Sequence, residues 1–213
     1  MCFSPEVSLA TFSIGIIFSI LSWSLGKASD KIVGGFLGFV SLMQGIEFLL
    51  WNHQKCDSTN KELSVAGMWL NHLQPIVLGV LVLWLSNRAE NKGWISLIIG
   101  LYLLMIIPYS LQFQDKMDLQ CTTKHEGDPH LIWNWNYMPN TEFVYNMFLL
   151  AVMSISLLGM PGNGRGVVFA CVSFFTYTTS KLLYPRENGS IWCFYIAFIP
   201  MIYYFARNMG YGS

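Results

Sequence analysis

The sequence predicts an all-α, polytopic membrane protein, one domain of seven transmembrane helices over residues 1–213, and three observations predict it. Seven apolar stretches follow one another along the chain, each close to the ~20 residues that cross a ~30 Å hydrocarbon core. The polar segments between them are short, which leaves no room for a soluble domain. Composition agrees, with 54% hydrophobic and 11% charged residues and a mean hydropathy of +0.45, whereas about a quarter of residues in a soluble domain are charged. A closed β-barrel also satisfies its backbone in lipid, but its strands alternate, and these runs are continuously apolar.

The first span, 7–26, opens almost at residue 1. Ser4-Pro5-Glu6 reads as N-cap, N1 proline and first-turn acid, so no cleavable signal peptide is expected before it. The second span, 31–51, holds Gln44 and Glu47. The third, 64–85, holds Asn71, His72 and Gln74 just before Pro75, whose missing N–H is expected to kink the helix and free a carbonyl. Spans 94–113, 142–160 and 166–184 contribute Tyr109 and Gln112, Tyr145 and Asn146, and Tyr177, Thr178 and Lys181. The last span is 191–207. A weak internal duplication is one reading of the order: the segment 44–51 aligns with 178–184, Glu47 against Lys181, and Trp69 with Pro75 answers Trp192 with Pro200. That would be a 3+1+3 parallel repeat, as in some small carriers; chance similarity between Leu- and Ser-rich helices is the alternative.

Charge and cysteines set the sidedness. With the N-terminus outside, the inner loops and tail carry six basic residues (Lys27, Lys31, Arg88, Lys92, Arg165, Arg207) against Asp30 and Glu90. Lys and Arg resist translocation, so an extracellular or lumenal N-terminus and a cytoplasmic C-terminus are expected, although the outer side carries as many basic residues. Cys2, Cys56, Cys121 and Cys193 all fall on the outer side, where disulfides persist. The favoured pairings are Cys2–Cys193 and Cys56–Cys121, with free thiols as the alternative. Asn188-Gly189-Ser190 matches a glycosylation acceptor but lies against the membrane, which argues against modification.

Function is sought in polar groups within the spans, because ionisable side chains there cost several kcal/mol unless paired or wet. Glu47, His72 and Lys181, with Gln44, Asn71, Gln74, Tyr109 and Asn146, lie at similar outer depths, while the inner halves are mainly apolar. This one-sided layer predicts a vestibule open to the outside. Two duller roles are expected as readily: an interhelical Glu47–Lys181 ion pair and an interhelical hydrogen bond from His72. Leu131, Trp133, Trp135 and Tyr137 share a face if residues 130–137 are extended, which predicts an interfacial strand or lid, or a plain anchoring loop.

Several activities lack their residues. The last span has no lysine for a retinal Schiff base; Gly162, Gly164 and Gly166 lack the lysine of a phosphate loop; no basic patch points to nucleic acid. Membrane zinc hydrolases need several histidines within helices, and only His72 qualifies, while His53, His125 and His130 lie in outer loops without a paired motif. No metal site is assigned, and the residues name no cofactor.

Met1-Cys2-Phe3-Ser4-Pro5-Glu6, the segment 44–51, Asn71-His72-Leu73-Gln74-Pro75 and Trp192-Cys193-Phe194 together resemble a family of multi-pass proteins of giant DNA viruses, with distant bacterial relatives that also begin Met-Cys-Phe-Ser. The resemblance spans nearly the whole chain. It implies a seven-helix membrane fold and a viral origin, hence a host or virion membrane, and carries no activity with it. Three functions stay open: a small carrier or channel whose vestibule binds a cation, proton or small polar solute; a membrane-embedded enzyme acting on lipid or a prosthetic group, with His72 as base and Glu47 orienting it or both holding a metal; and a structural or host-membrane-modifying viral protein. Transport comes first because one histidine and one carboxylate make a thin active site. The bilayer is the expected partner, and Gly34, Gly35 and Gly38 would permit either self-association or close packing within one bundle.

Overall fold

The computed structural model describes residues 4–116, 120–124, 130–162, 164–185 and 188–210. Within them eight α-helices build seven spans: α1 (Pro5–Ser24), α2 (Ala28–Asn52), α3 (Ser58–Leu85), α4 (Lys92–Gln114), α5 (Thr141–Gly159), α6 (Arg165–Leu183), and the two halves of the last, α7 (Asn188–Ala197) and α8 (Ile199–Asn208). The protein is an integral, multi-pass, all-α membrane protein. The helices outrun the apolar stretches at several ends because polar first turns extend them; α3 starts at Ser58, where Asp57 caps the chain by accepting from the Asn60 amide at 2.9 Å. At α1 the Ser4 side chain accepts from the Val7 amide, with Pro5 and Glu6 in the first turn. The last span breaks at Phe198 because Pro200 has no amide to give to the preceding turn.

The helix α2 lies at the centre, packed on α1, α3, α7 and α8, and supplies Ile32, Phe36, Leu37, Val40 and Met43 to the core. Spans α1 and α4 are peripheral. Leu104, Leu182, Trp84 and Trp94 are exposed, which would be costly in water and is expected of a surface solvated by lipid, the two tryptophans lying at helix ends where indoles prefer the interface. The glycine stripe of α2 is spent inside the bundle. A Cβ on Gly34 would come within 2.6 Å of the Ser19 carbonyl of α1, while Gly35 faces Trp23 and Leu81 and Gly38 faces Ser19.

Alternating spans put the loop after α2 and the segment between α4 and α5 at one end, here called the lid side, and the C-terminus at the other, the tail side. On the lid side Thr122–Lys124 (β1) pairs antiparallel with Leu131–Trp133 (β2), Thr122 opposite Trp133. A disulfide joins Cys56 to Cys121, as expected, and ties this hairpin to the start of α3. Asn60 reinforces the tie: its carboxamide accepts from the Thr122 amide at 3.0 Å and donates to the Thr122 carbonyl at 2.9 Å, so one side chain acts as a strand neighbour for β1. Cys2 and His125 lie outside the described residues, and with Cys2 the pairing to the buried Cys193. Cys171 is an exposed free thiol on α6.

The extended lid expected over 130–137 is only half present. After Trp133 the chain turns into a 3-10 helix, Asn134–Tyr137, which keeps Trp135 buried and turns Tyr137 out. Trp133 and Trp135 stack with ring centroids 4.7 Å apart, and Gly189 of α7 lets Trp133 lie against the helix start, where a Cβ would come within 2.9 Å of its ring. On the tail side Asp30, 0% exposed, accepts from Arg207 Nε at 2.9 Å, Arg207 Nη2 at 3.2 Å and the Tyr203 hydroxyl at 2.5 Å. This pair locks α8 to α2 across the length of the chain.

Candidate functional site

The candidate site is built on α3. Pro75 sits inside the helix without breaking it, and the turn before it is locally short of backbone donors. The Tyr102 hydroxyl of α4 donates to the His72 carbonyl there at 3.0 Å. The imidazole of the same residue is 1% exposed. Its Nδ1 lies 2.7 Å from Ser110 Oγ, and Ser110 in turn donates to the Ile106 carbonyl at 2.8 Å. A hydroxyl has one hydrogen, which can go to Ile106 or to the ring; when it goes to Ile106, Nδ1–H donates to the serine oxygen. The lone pair is then on Nε2, which is buried and has no hydrogen-bond partner. An unprotonated imidazole nitrogen held in place in an apolar interior is equipped to accept one proton or one donor.

Above His72 a polar network runs to the lid. Tyr145 of α5 is its hub: the hydroxyl accepts from Asn71 Nδ2 at 2.8 Å and from Trp135 Nε1 at 3.2 Å, and donates to Asn136 Oδ1 at 2.7 Å. Tyr109 of α4 meets Thr141 Oγ1 at 2.6 Å, and Thr141 donates to the Met138 carbonyl. The rings of Tyr109 and Tyr145 stand 5.6 and 6.3 Å from the imidazole, centroid to centroid. Asn136 and Tyr145 also line a pocket of about 50 Å³ among α5, α6 and α7, which Tyr177, Asn188, Glu142 and Lys181 complete. Since a water needs about 10–15 Å³ measured this way, the pocket suits a few waters and not a sugar or an amino acid. Lys181 pairs with Glu142 at its mouth, where their side chains are 37% and 76% exposed.

The predicted layer is thus divided. Asn71, His72, Tyr109 and Tyr145 come together; Lys181 belongs to the pocket mouth. Glu47 is elsewhere, in a buried chain between α1 and α2 in which Thr11 donates to Gln44 Oε1 at 2.9 Å and Gln44 Nε2 donates to Glu47 Oε2 at 2.7 Å. The expected Glu47–Lys181 pair is replaced by Glu142–Lys181, and the expected orientation of His72 by Glu47 is replaced by Ser110: depth along a helix was legible, rotation about its axis was not. Gln74 turns toward Cys193 of α7, with Nε2 4.0 Å from the sulfur. Asn146 and Gln112 are exposed and face away from the network. The open vestibule is corrected as well, since Gln44, Glu47, Asn71, His72 and Gln74 are each at most 1% exposed. The equated positions Glu47 and Lys181 stand in unlike surroundings, one buried and one at the surface.

Sequence reasoning missed Ser110, Tyr102, Asn136 and Thr141. Only the aromatic-rich segment around Trp135 signalled that a cap would reach the helices. The acceptor pattern at 188–190 is folded into the first turn of α7, with Ser190 buried and Asn188 Oδ1 accepting from Ser180 at 2.5 Å. Among the described residues no three His, Cys, Asp or Glu side chains gather into a metal-binding group. His130 packs edge-on against Tyr184 instead. No family model, no curated protein and no solved structure matches the chain.

Proposed function

We propose that this protein is a small membrane carrier or channel that admits a proton or small cation from the lid side, through the Glu142–Lys181 pocket and the Tyr145 hub, to His72. The observation that carries the proposal is the unpartnered Nε2 of His72, buried below a network of exchangeable hydrogens that reaches an outward pocket. The pocket's size favours a proton over a larger solute. A charge on an imidazole this deep costs several kcal/mol unless water or a counter-charge accompanies it. Uptake is therefore coupled to movement of the hairpin, which lets water follow the proton, and the closed network is the resting state. The enzyme reading has less support: it needs a substrate at His72, and among the described residues Ser110 is the hydrogen-bond partner of a ring packed against Tyr109 and Tyr145. The resemblance to giant-virus proteins supports a viral or host membrane as the setting, with the lid on the extracellular or lumenal face.

The test is proton flux into proteoliposomes loaded with a pH-sensitive dye, under a potassium–valinomycin clamp. Wild-type protein is expected to equilibrate a pH step at least tenfold faster than empty liposomes, and His72→Gln to fall to the empty-liposome rate with an unchanged melting temperature. Wild-type rates in His72→Gln would overturn the proposal.

A further inference from the structure

The lid is fastened at its far edge by a covalent bond, and that bond is within reach of solvent. Cys56 is exposed in the loop between α2 and α3, whereas its disulfide partner Cys121 is 7% exposed. Two short routes lead from Cys121 to the Tyr145 hub. The Cys121 carbonyl accepts from Asn134 Nδ2 at 2.5 Å, and Asn134 opens the 3-10 turn that carries Trp135 and Asn136 to the Tyr145 hydroxyl. The next residue, Thr122, stands opposite Trp133 in the ladder, and Trp133 stacks on Trp135. Hydrogen bonds hold the same edge. Gln54 Oε1 accepts from the Lys124 amide at 2.8 Å, Ser64 Oγ donates to Thr122 Oγ1 at 2.9 Å, and Asn60 engages both backbone groups of Thr122. Those bonds can be exchanged for water when the edge moves. The bridge cannot, so it sets a hard limit on how far β1 can leave the start of α3.

We propose that Cys56–Cys121 is a redox latch, which a dithiol reductant at the lid-side surface opens through Cys56, and whose opening admits water to His72. A thiolate of the reductant attacks Cys56 Sγ, the sulfur–sulfur bond breaks, and Cys121 leaves as a thiolate that takes up a proton. The reductant's second thiol then attacks the mixed disulfide and releases Cys56. Two electrons and two protons pass to the bridge, and the dithiol becomes a disulfide. The expected sidedness places the lid in an oxidising compartment, where the bridge persists until a reductant reaches it. Its effect on flux rests on the proposed transport; the uncovering of His72 does not.

The test treats the protein in phosphatidylcholine nanodiscs with diethyl pyrocarbonate, before and after dithiothreitol, and reads carbethoxylation of His72 by peptide mass spectrometry. His72 is expected to react at least tenfold faster after reduction, with helical circular dichroism unchanged. The double variant Cys56→Ser, Cys121→Ser is expected to start at the reduced rate and to show no response to dithiothreitol, which separates this bridge from every other cysteine. A wild-type rate unchanged by reduction, a double variant as slow as the oxidised wild type, or one that still responds to dithiothreitol would overturn the proposal. In proteoliposomes, reduction is expected to raise proton flux at least threefold. A faster His72 reaction with flux at the empty-liposome rate would keep the latch and remove the transport reading; flux above that rate with no faster reaction would do the reverse.

Discussion

Two ion pairs show how differently a charge is treated inside this bundle and at its edge. Asp30 is fully buried and receives Arg207 and Tyr203 together, so removing the arginine strands a carboxylate. Breaking such a pair from one side typically costs about 3–5 kcal/mol, and Arg207→Ala is expected to lower the melting temperature in detergent by several degrees or prevent folding. Glu142–Lys181 is exposed, and pairs of that kind contribute about 1 kcal/mol or less. Lys181→Ala is accordingly expected to melt within a degree or two of wild type. His72 gives the sharpest residue-level prediction. Nitrogen-15 NMR of labelled histidine is expected to show the Nδ1–H tautomer, with Ser110 giving its hydrogen to the Ile106 carbonyl 2.8 Å away; an Nε2–H signal would mean that the serine donates to the ring. The residue types of this site were legible in the sequence because polar groups stand out against apolar spans. Their partners were not, since Ser110 lies 38 positions from His72 and Arg207 lies 177 from Asp30.

At the scale of elements, the lid is the part whose stability is tied to covalent chemistry. The Cys56–Cys121 bridge closes a loop of 65 residues, for which the chain-entropy estimate is up to about 4 kcal/mol, less for a chain already constrained by a bilayer. Reduction, or Cys56→Ser, is expected to leave the seven spans folded but to loosen the hairpin. Trp133 and Trp135 fluorescence should then become more accessible to iodide, with no change in helical circular dichroism; unchanged quenching would show that Asn60 and the stacked indoles hold the hairpin alone. The sequence indicated a lid from alternating aromatics, yet the strand stops at Trp133 because the next residues must turn so that Trp135 reaches Tyr145. Pro75 stays inside an unbroken α3, with Tyr102 donating to the His72 carbonyl in the turn before it, whereas Pro200 divides the last span into α7 and α8. Both prolines were visible; which of them breaks its helix depended on neighbours that no local pattern contains.

For the whole molecule, hydropathy carried the architecture, because lipid admits only structures that satisfy their own backbone, and seven continuous apolar runs then leave one solution. Glycines on α2 and the capping residues Ser4 and Asp57 follow the same logic of close packing and satisfied helix ends. The polar interior obeys a different one, set by how seven helices rotate against each other, and that rotation gathered Asn71, His72 and Tyr145 while sending Glu47 to α1. The resulting molecule has a buried polar network between the lid and α3 on one side and an apolar cavity lined by Val33, Phe169, Val172 and Ile199 on the other. Among the described residues Tyr145 is the one hydroxyl that joins the pocket residue Asn136 to Asn71, the neighbour of His72 in α3. Proton flux through Tyr145→Phe in proteoliposomes is therefore the most direct measurement. The phenylalanine keeps the ring and its packing and removes only the hydroxyl. At least a tenfold loss of flux with an intact fold is the result expected of a working path; flux equal to wild type would mean that the network is structural and that nothing passes through it to His72.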